Sequence, residues 1–134
     1  MRIALLLLML IFVTSSFAAA DDGSAAQAII RQQDDALARD DAAAAYALAA
    51  PEIHAMFPTA DIFIAMVREG YAPVYRHQRF AFGAAESDHG VITQHVDVID
   101  ANNEAWEAVY TLQNQSDGSL KITSCVLRKA GSSV

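Results

Sequence analysis

The chain has 134 residues, enough for one domain with a core of its own. Nine basic residues stand against 16 acidic ones, a net charge of -7, and the charges are scattered. That balance argues against nucleic acid and anionic membrane surfaces as partners, because such contacts depend on clusters of Lys and Arg. Cys125 is the single cysteine, so an internal disulfide is excluded and stability must come from packing.

Residues 1–20 read as a cleavable secretory signal. Arg2 supplies a positive start, Ile3 to Val13 is an unbroken apolar run, and Ala18, Ala19 and Ala20 offer the small residues a signal peptidase needs. The run is shorter than the ~20 residues that span a bilayer. The expected product is an exported domain, periplasmic in a Gram-negative cell and otherwise secreted, with no membrane attachment after cleavage. It would occupy residues 21–134, with an ordered core at about 24–129.

Ser24 and Gln27 form a capping-box pattern, in which a Ser hydroxyl accepts from the third helical amide and the Gln side chain reaches back. Ala26, Ile29, Ile30, Gln33 and Leu37 then recur at helical spacing, which predicts a helix over residues 25–39. Asp40 or Asp41 is placed to cap a short helix over Ala42 to Ala49, and Pro51 to end it or to open another turn. Thr59 is expected to cap a third helix to Glu69 that buries Ile62, Phe63, Met66 and Val67. Gly70 is expected to be its left-handed terminal residue.

From Tyr71 the apolar period becomes twofold, with Pro73 expected to keep Ala72 out of the helical region. Strands are predicted around Arg79 to Phe82, over Val91 to Ile99, from Trp106 to Gln113 and over Leu120 to Leu127. The turns fall at residues 87–90, 100–103 and 116–118, and Ala130 to Val134 reads as a frayed tail. Short turns impose antiparallel neighbours, so helices packed on one antiparallel meander make an α+β domain.

The segment Phe63 to Arg76, containing Met66, Val67, Gly70, Tyr71, Pro73, Val74 and Tyr75, closely resembles the signature of the domain of unknown function 4864 family. Pro51, Ile53 and Phe57 before it, and Trp106, Ala108, Tyr110, Leu112, Asp117, Gly118, Ile122 and Cys125 after it, are similar to that family as well. The resemblance implies a fold like nuclear transport factor 2: N-terminal helices closing a cone of curved four-stranded antiparallel sheet. It implies no particular activity. Domains of that shape include ketosteroid isomerase, scytalone dehydratase and noncatalytic binders of ligands or partners.

Chemistry in such a cone depends on which strand face looks inward. On Val91 to Asp100, one face carries Ile92, Gln94, Val96 and Val98, and the other Val91, Thr93, His95, Asp97 and Ile99. The more apolar face is the expected inner one, which leaves His95 and Asp97 in solvent. Reversed, they would form a general-base pair in the cavity, and they are the candidate catalytic residues. A metal would need a third ligand that the spacing does not supply, so no metal or other cofactor is expected.

Tyr71, Tyr75, Arg76 and His77 form the most distinctive polar and aromatic cluster and are the ligand-binding candidates. Arg76 could meet a carboxylate or phosphate on a ligand, or equally a surface acid of the protein itself. Cys125, in a strand-like apolar run, is expected to be a buried thiol. The function these features suggest is a noncatalytic exported module that binds a small molecule or a protein segment. The alternatives are a small isomerase, dehydratase or hydrolase using His95 with Asp97 or Tyr71 with His77, and a self-associating domain that forms homodimers.

Overall fold

A computed structural model describes residues 18–131, so nearly all of the expected leader, together with the last three residues, lies outside the described residues. Five helical segments precede four strands. They are α1 (Ala18–Ala38), α2 (Ala42–Ala47), α3 (Pro51–Met56), α4 (Ala60–Gly70), α5 (Ala72–Tyr75), β1 (His77–Asp88), β2 (Val91–Asp100), β3 (Ala105–Asn114) and β4 (Leu120–Lys129). No helix among the described residues is long and apolar enough to cross a membrane.

Helix α1 buries Ala26, Ile30, Gln33 and Leu37, one stripe at helical spacing, as its periodicity predicts. Its start differs from the capping-box expectation. Ser24 lies inside α1, which begins at Ala18 and runs through Gly23, so its hydroxyl does not stand at the helix start. The helix ends in a Schellman arrangement. Asp40 adopts φ 56°, the Asp40 amide donates to Leu37 O at 3.1 Å, and the Asp41 amide donates to Ala36 O at 2.8 Å. Asp41 then caps α2 by accepting from the Ala44 amide at 3.0 Å.

Pro51 opens α3, where its missing amide hydrogen is no loss. Thr59 caps α4 as expected, accepting from the Ile62 amide at 3.2 Å. The buried face of α4 is Phe63, Ile64 and Val67, while Met66 is half-buried and Ile62 is exposed. Ile64 replaces Ile62 because the neighbouring elements, rather than the helix's own period, decide which side of a two-sided apolar helix is covered. Gly70 is the last helical residue and is not left-handed; Tyr71, at φ -132° and ψ 38°, leaves the helical region and ends α4. Ala72 is also helical, contrary to the expectation from Pro73. A proline in the first turn of α5 meets no amide requirement, so a single helical turn separates α4 from the sheet.

The sheet is an antiparallel meander in the order β1-β2-β3-β4. The β1–β2 connection is a two-residue turn with His89 at φ 50° and Gly90 at φ 79°, the primed geometry that matches strand twist. Asp100 organises the next turn by accepting from the Asn102 and Glu104 amides and from the Trp106 indole at 2.8–2.9 Å. All helices pack on one sheet face. Register places Phe80 and Phe82 of β1, Ile92 to Val98 of β2, Ala108 to Leu112 of β3 and Ile122 of β4 on that side at alternate positions.

Three irregularities interrupt the ladders, two in β1, between His77 and Arg79 and between Phe82 and Ala85, and one in β4 beside Thr123, and such irregularities bend a strand. The segment joining α2 and α3 is tied to β4 by a short parallel bridge: the Ala50 amide donates to Ile122 O at 2.8 Å, and the Ile122 amide to Leu48 O at 2.9 Å.

Candidate functional site

A cavity of about 240 Å³ lies between α1, α3, α4 and the sheet, and Ile122, the residue bridged to the segment before α3, is part of its lining. Ile53, Met56 and Phe57 form one wall, and Phe63, Met66 and Val67 of α4 another. Leu37 and Gln33 come from α1, Tyr71 and Val74 from the α4–α5 junction, and Tyr110, Ile122 and Cys125 from the sheet. Met56 stands 71% exposed at the mouth. The α3 wall is fastened by Tyr46, whose ring stacks on His54 at 3.8 Å and whose hydroxyl donates to Phe57 O at 2.6 Å.

Thr123 and Ser124 of β4 complete the lining, and the other polar side chains in it are Gln33, Tyr71, Tyr110 and Cys125. The Tyr71 hydroxyl donates to Cys125 O at 2.9 Å. Tyr110 is 2% exposed, and its hydroxyl meets the Cys125 thiol, a weak hydrogen-bonding partner. Gln33 is 7% exposed and donates through Nε2 to Ala45 O at 3.2 Å. Its Oε1 accepts no protein hydrogen bond among the described residues. Gln33 lines the cavity, and a glutamine oxygen can accept two hydrogen bonds.

Burial raises Tyr71 above its usual range, with the neighbouring Cys125 adding to the effect. Burial also raises Tyr110 well above its ordinary value, and the charges of Cys125 and Asp34 act in the same direction. The Cys125 thiol is pushed up to about 12 by burial. All three groups are therefore protonated and neutral near pH 7. Cys125 as a residue is only half-buried; its thiol is tucked toward Tyr110, and it is the thiol's environment that governs its chemistry.

Of the four ligand-binding candidates, Tyr71 lines the cavity and the other three do not. The Tyr75 hydroxyl donates to Asp40 Oδ1 and accepts from Arg68 Nε at 3.2 Å. Arg76 donates to Asp40 Oδ2 and to Leu37 O, both at 3.0 Å, with its guanidinium 3.8 Å from the centre of the Tyr75 ring. These contacts bind α5 to the C-terminus of α1, so Arg76 meets an acid of its own chain. His77 Nε2 lies 2.7 Å from Asp34 Oδ1, and its ring packs on Phe80 at 4.9 Å. Tyr71 and His77 thus face different surroundings.

Ile92, Gln94, Val96 and Val98 are buried on the helix-covered face of β2, and His95 and Asp97 lie on the opposite face. His95 sits there between Glu86 at 3.7 Å and Glu107 at 3.5 Å, and Glu107 also accepts from Arg128 Nε at 2.8 Å. The catalytic pair would have required the reverse orientation. Among the described residues no group of three His, Cys, Asp or Glu side chains could hold a metal ion.

Tyr110 and Gln33 are cavity residues that sequence reasoning passed over as core. The available signal was Gln33, a polar residue inside the apolar stripe of an amphipathic helix.

Five helices closing one face of a four-stranded antiparallel meander define an α+β fold of the nuclear transport factor 2 type. The chain is similar to a crystal structure of an NTF-2-like protein of unknown function from Silicibacter pomeroyi, with a TM-score of 0.58 at 20% identity over 83% of this chain and 98% of that one. The model of the family described as Domain of unknown function (DUF4864) matches residues 19–133, and the chain belongs to that family. No curated protein matches it.

Proposed function

We propose that this domain is a binding module of an exported protein, with the cavity between α1, α3, α4 and the sheet as its ligand site. The observation that carries the reading is the character of the lining. It is apolar, open at Met56, and its titratable groups are tyrosines and a thiol held neutral. Such groups orient a ligand by hydrogen bonding, whereas acid–base catalysis near pH 7 needs a group that titrates there. Thermal melts across a panel of small metabolites test it: a ligand that binds the folded state raises the midpoint as its concentration increases. A panel without effect, together with a Val67→Trp variant that fills the cavity and melts like the parent, would refute the reading.

Export is supported by the order of charge, apolar run and small residues in the leader. It predicts a mature chain beginning at Asp21, recovered from the periplasm or the medium and read by N-terminal sequencing.

A second reading, self-association, is favoured by the sheet face opposite the helices. None of the described helices covers it, and Val126 in β4 is 57% exposed on it. Sedimentation at micromolar concentration distinguishes a dimer from a monomer.

A further inference from the structure

We infer that the ligand is a neutral, largely apolar ring compound bearing one hydroxyl-like head that accepts from the Tyr110 hydroxyl and donates to Gln33 Oε1. This deepens the binding reading above and rests on it.

Charge is the first discriminant. No Lys, Arg or His lines the cavity, and the nearby guanidinium groups of Arg68 and Arg76 are engaged by Asp40 on the surface. A carboxylate or phosphate entering this space would lose its hydration with no cation to meet it, a penalty that excludes anions. An ammonium would likewise find no carboxylate among the lining residues.

Size and shape come next. A 150 Å³ apolar cavity holds a benzene ring, so about 240 Å³ holds a substituted single ring or a fused pair. Phe57, Phe63, Tyr71 and Tyr110 offer ring faces and edges, and Met56 and Met66 offer thioethers that pack against aromatic edges. The mouth lies beside exposed Met56, so the ligand enters past α3.

The polar head follows from unused hydrogen-bonding capacity. Gln33 and Tyr110 are both more than nine-tenths buried and both line the cavity. The Tyr110 hydroxyl has the Cys125 thiol as its hydrogen-bonding neighbour, and a ligand oxygen is a better acceptor than that sulfur. Gln33 Oε1 has an open lone pair that wants a donor. A group that both accepts and donates, such as a phenol or alcohol, satisfies the two together. The Tyr71 hydroxyl is already committed to Cys125 O and serves as wall rather than head contact.

Calorimetric titration of the full mature chain with 2-naphthol, naphthalene and 2-naphthoate at pH 7 tests the assignment. The expected order is 2-naphthol tightest, naphthalene about fivefold weaker for want of the head contacts, and 2-naphthoate at least tenfold weaker than 2-naphthol. Tyr110→Phe should weaken 2-naphthol about fivefold and leave naphthalene unchanged. If that variant does not fold, the ligand series on the parent chain still decides. Equal or tighter binding of 2-naphthoate overturns the neutral class, and equal binding of naphthalene and 2-naphthol overturns the head contacts; both leave the cavity a binding site. Binding by none of the three, while another metabolite raises the melting point, overturns the class alone. Silence in both experiments overturns the binding reading itself.

Discussion

Gln94 exposes no surface, yet it is an amide in the middle of the apolar face of β2. Its Nε2 donates to Gly83 O, Ala84 O and His95 O at 3.1, 3.3 and 2.7 Å, and its Oε1 accepts from Gln27 at 3.4 Å. Two of those carbonyls belong to Gly83 and Ala84, which the register shift leaves out of the ladder with β2, so one side chain replaces the missing ladder bonds. Gln94→Met keeps the volume and removes the donors, and should cost about 1–3 kcal/mol in urea unfolding. Cys125 behaves oppositely, as a group whose chemistry is silenced by burial. With its thiol pushed up to about 12, alkylation by iodoacetamide at pH 8 should be negligible in the folded chain and complete in denaturant. Gln94 was legible in the sequence as the amide on an otherwise aliphatic face, but its partners were not, because Gly83 and Ala84 reach it only through a bulge that no local pattern announces.

At the scale of elements, the junction of α1, α4 and α5 turns on Asp40. It occupies a left-handed position that a side chain rarely adopts, and it is held there by Tyr75, Arg68 and Arg76. Asp40→Ala removes the carboxylate and keeps the strained backbone, whereas Asp40→Gly relieves the backbone, so the alanine variant should melt lower than the glycine variant. The same contacts hold the Asp40 carboxyl below its ordinary 3.8, the Tyr75 hydrogen bond contributing most. A depressed folded-state value stabilises above the unfolded one and is lost as pH falls through the folded value. Urea midpoints should therefore hold from pH 7 to about 4 and drop below it, with a shallower drop in Asp40→Asn. Asp100, Glu107 and Asp117, also lowered by their hydrogen bonds, contribute to the part that remains. The sequence showed Tyr75 and Arg76 as a conspicuous cluster. It could not show that their partner lay on the turn after α1, since nothing local links residues 40 and 76.

Across the whole molecule, the first fully buried residue among the described side chains of α1 is Ala26, the sixth residue of a chain that begins at Asp21. If cleavage falls after Ala20 as proposed, a chain beginning at Asp21 should fold and unfold cooperatively; a loss of cooperative unfolding would place essential packing before that point. The α+β class, the antiparallel meander and the inner face of β2 follow from periodicity, because alternate burial on a strand and the 3.6-residue repeat of a helix are local consequences of backbone geometry. Turn chemistry likewise placed the hairpins at Gly90 and Gly118. Tertiary structure alone decided that Ile64 is covered and Ile62 is not, that Arg76 meets Asp40, and that Gln33, Tyr71 and Tyr110 share one cavity. A cavity is the space left between α1, α3, α4 and the sheet, and such a space depends on how elements far apart in the chain are spaced, which no stretch of residues encodes by itself.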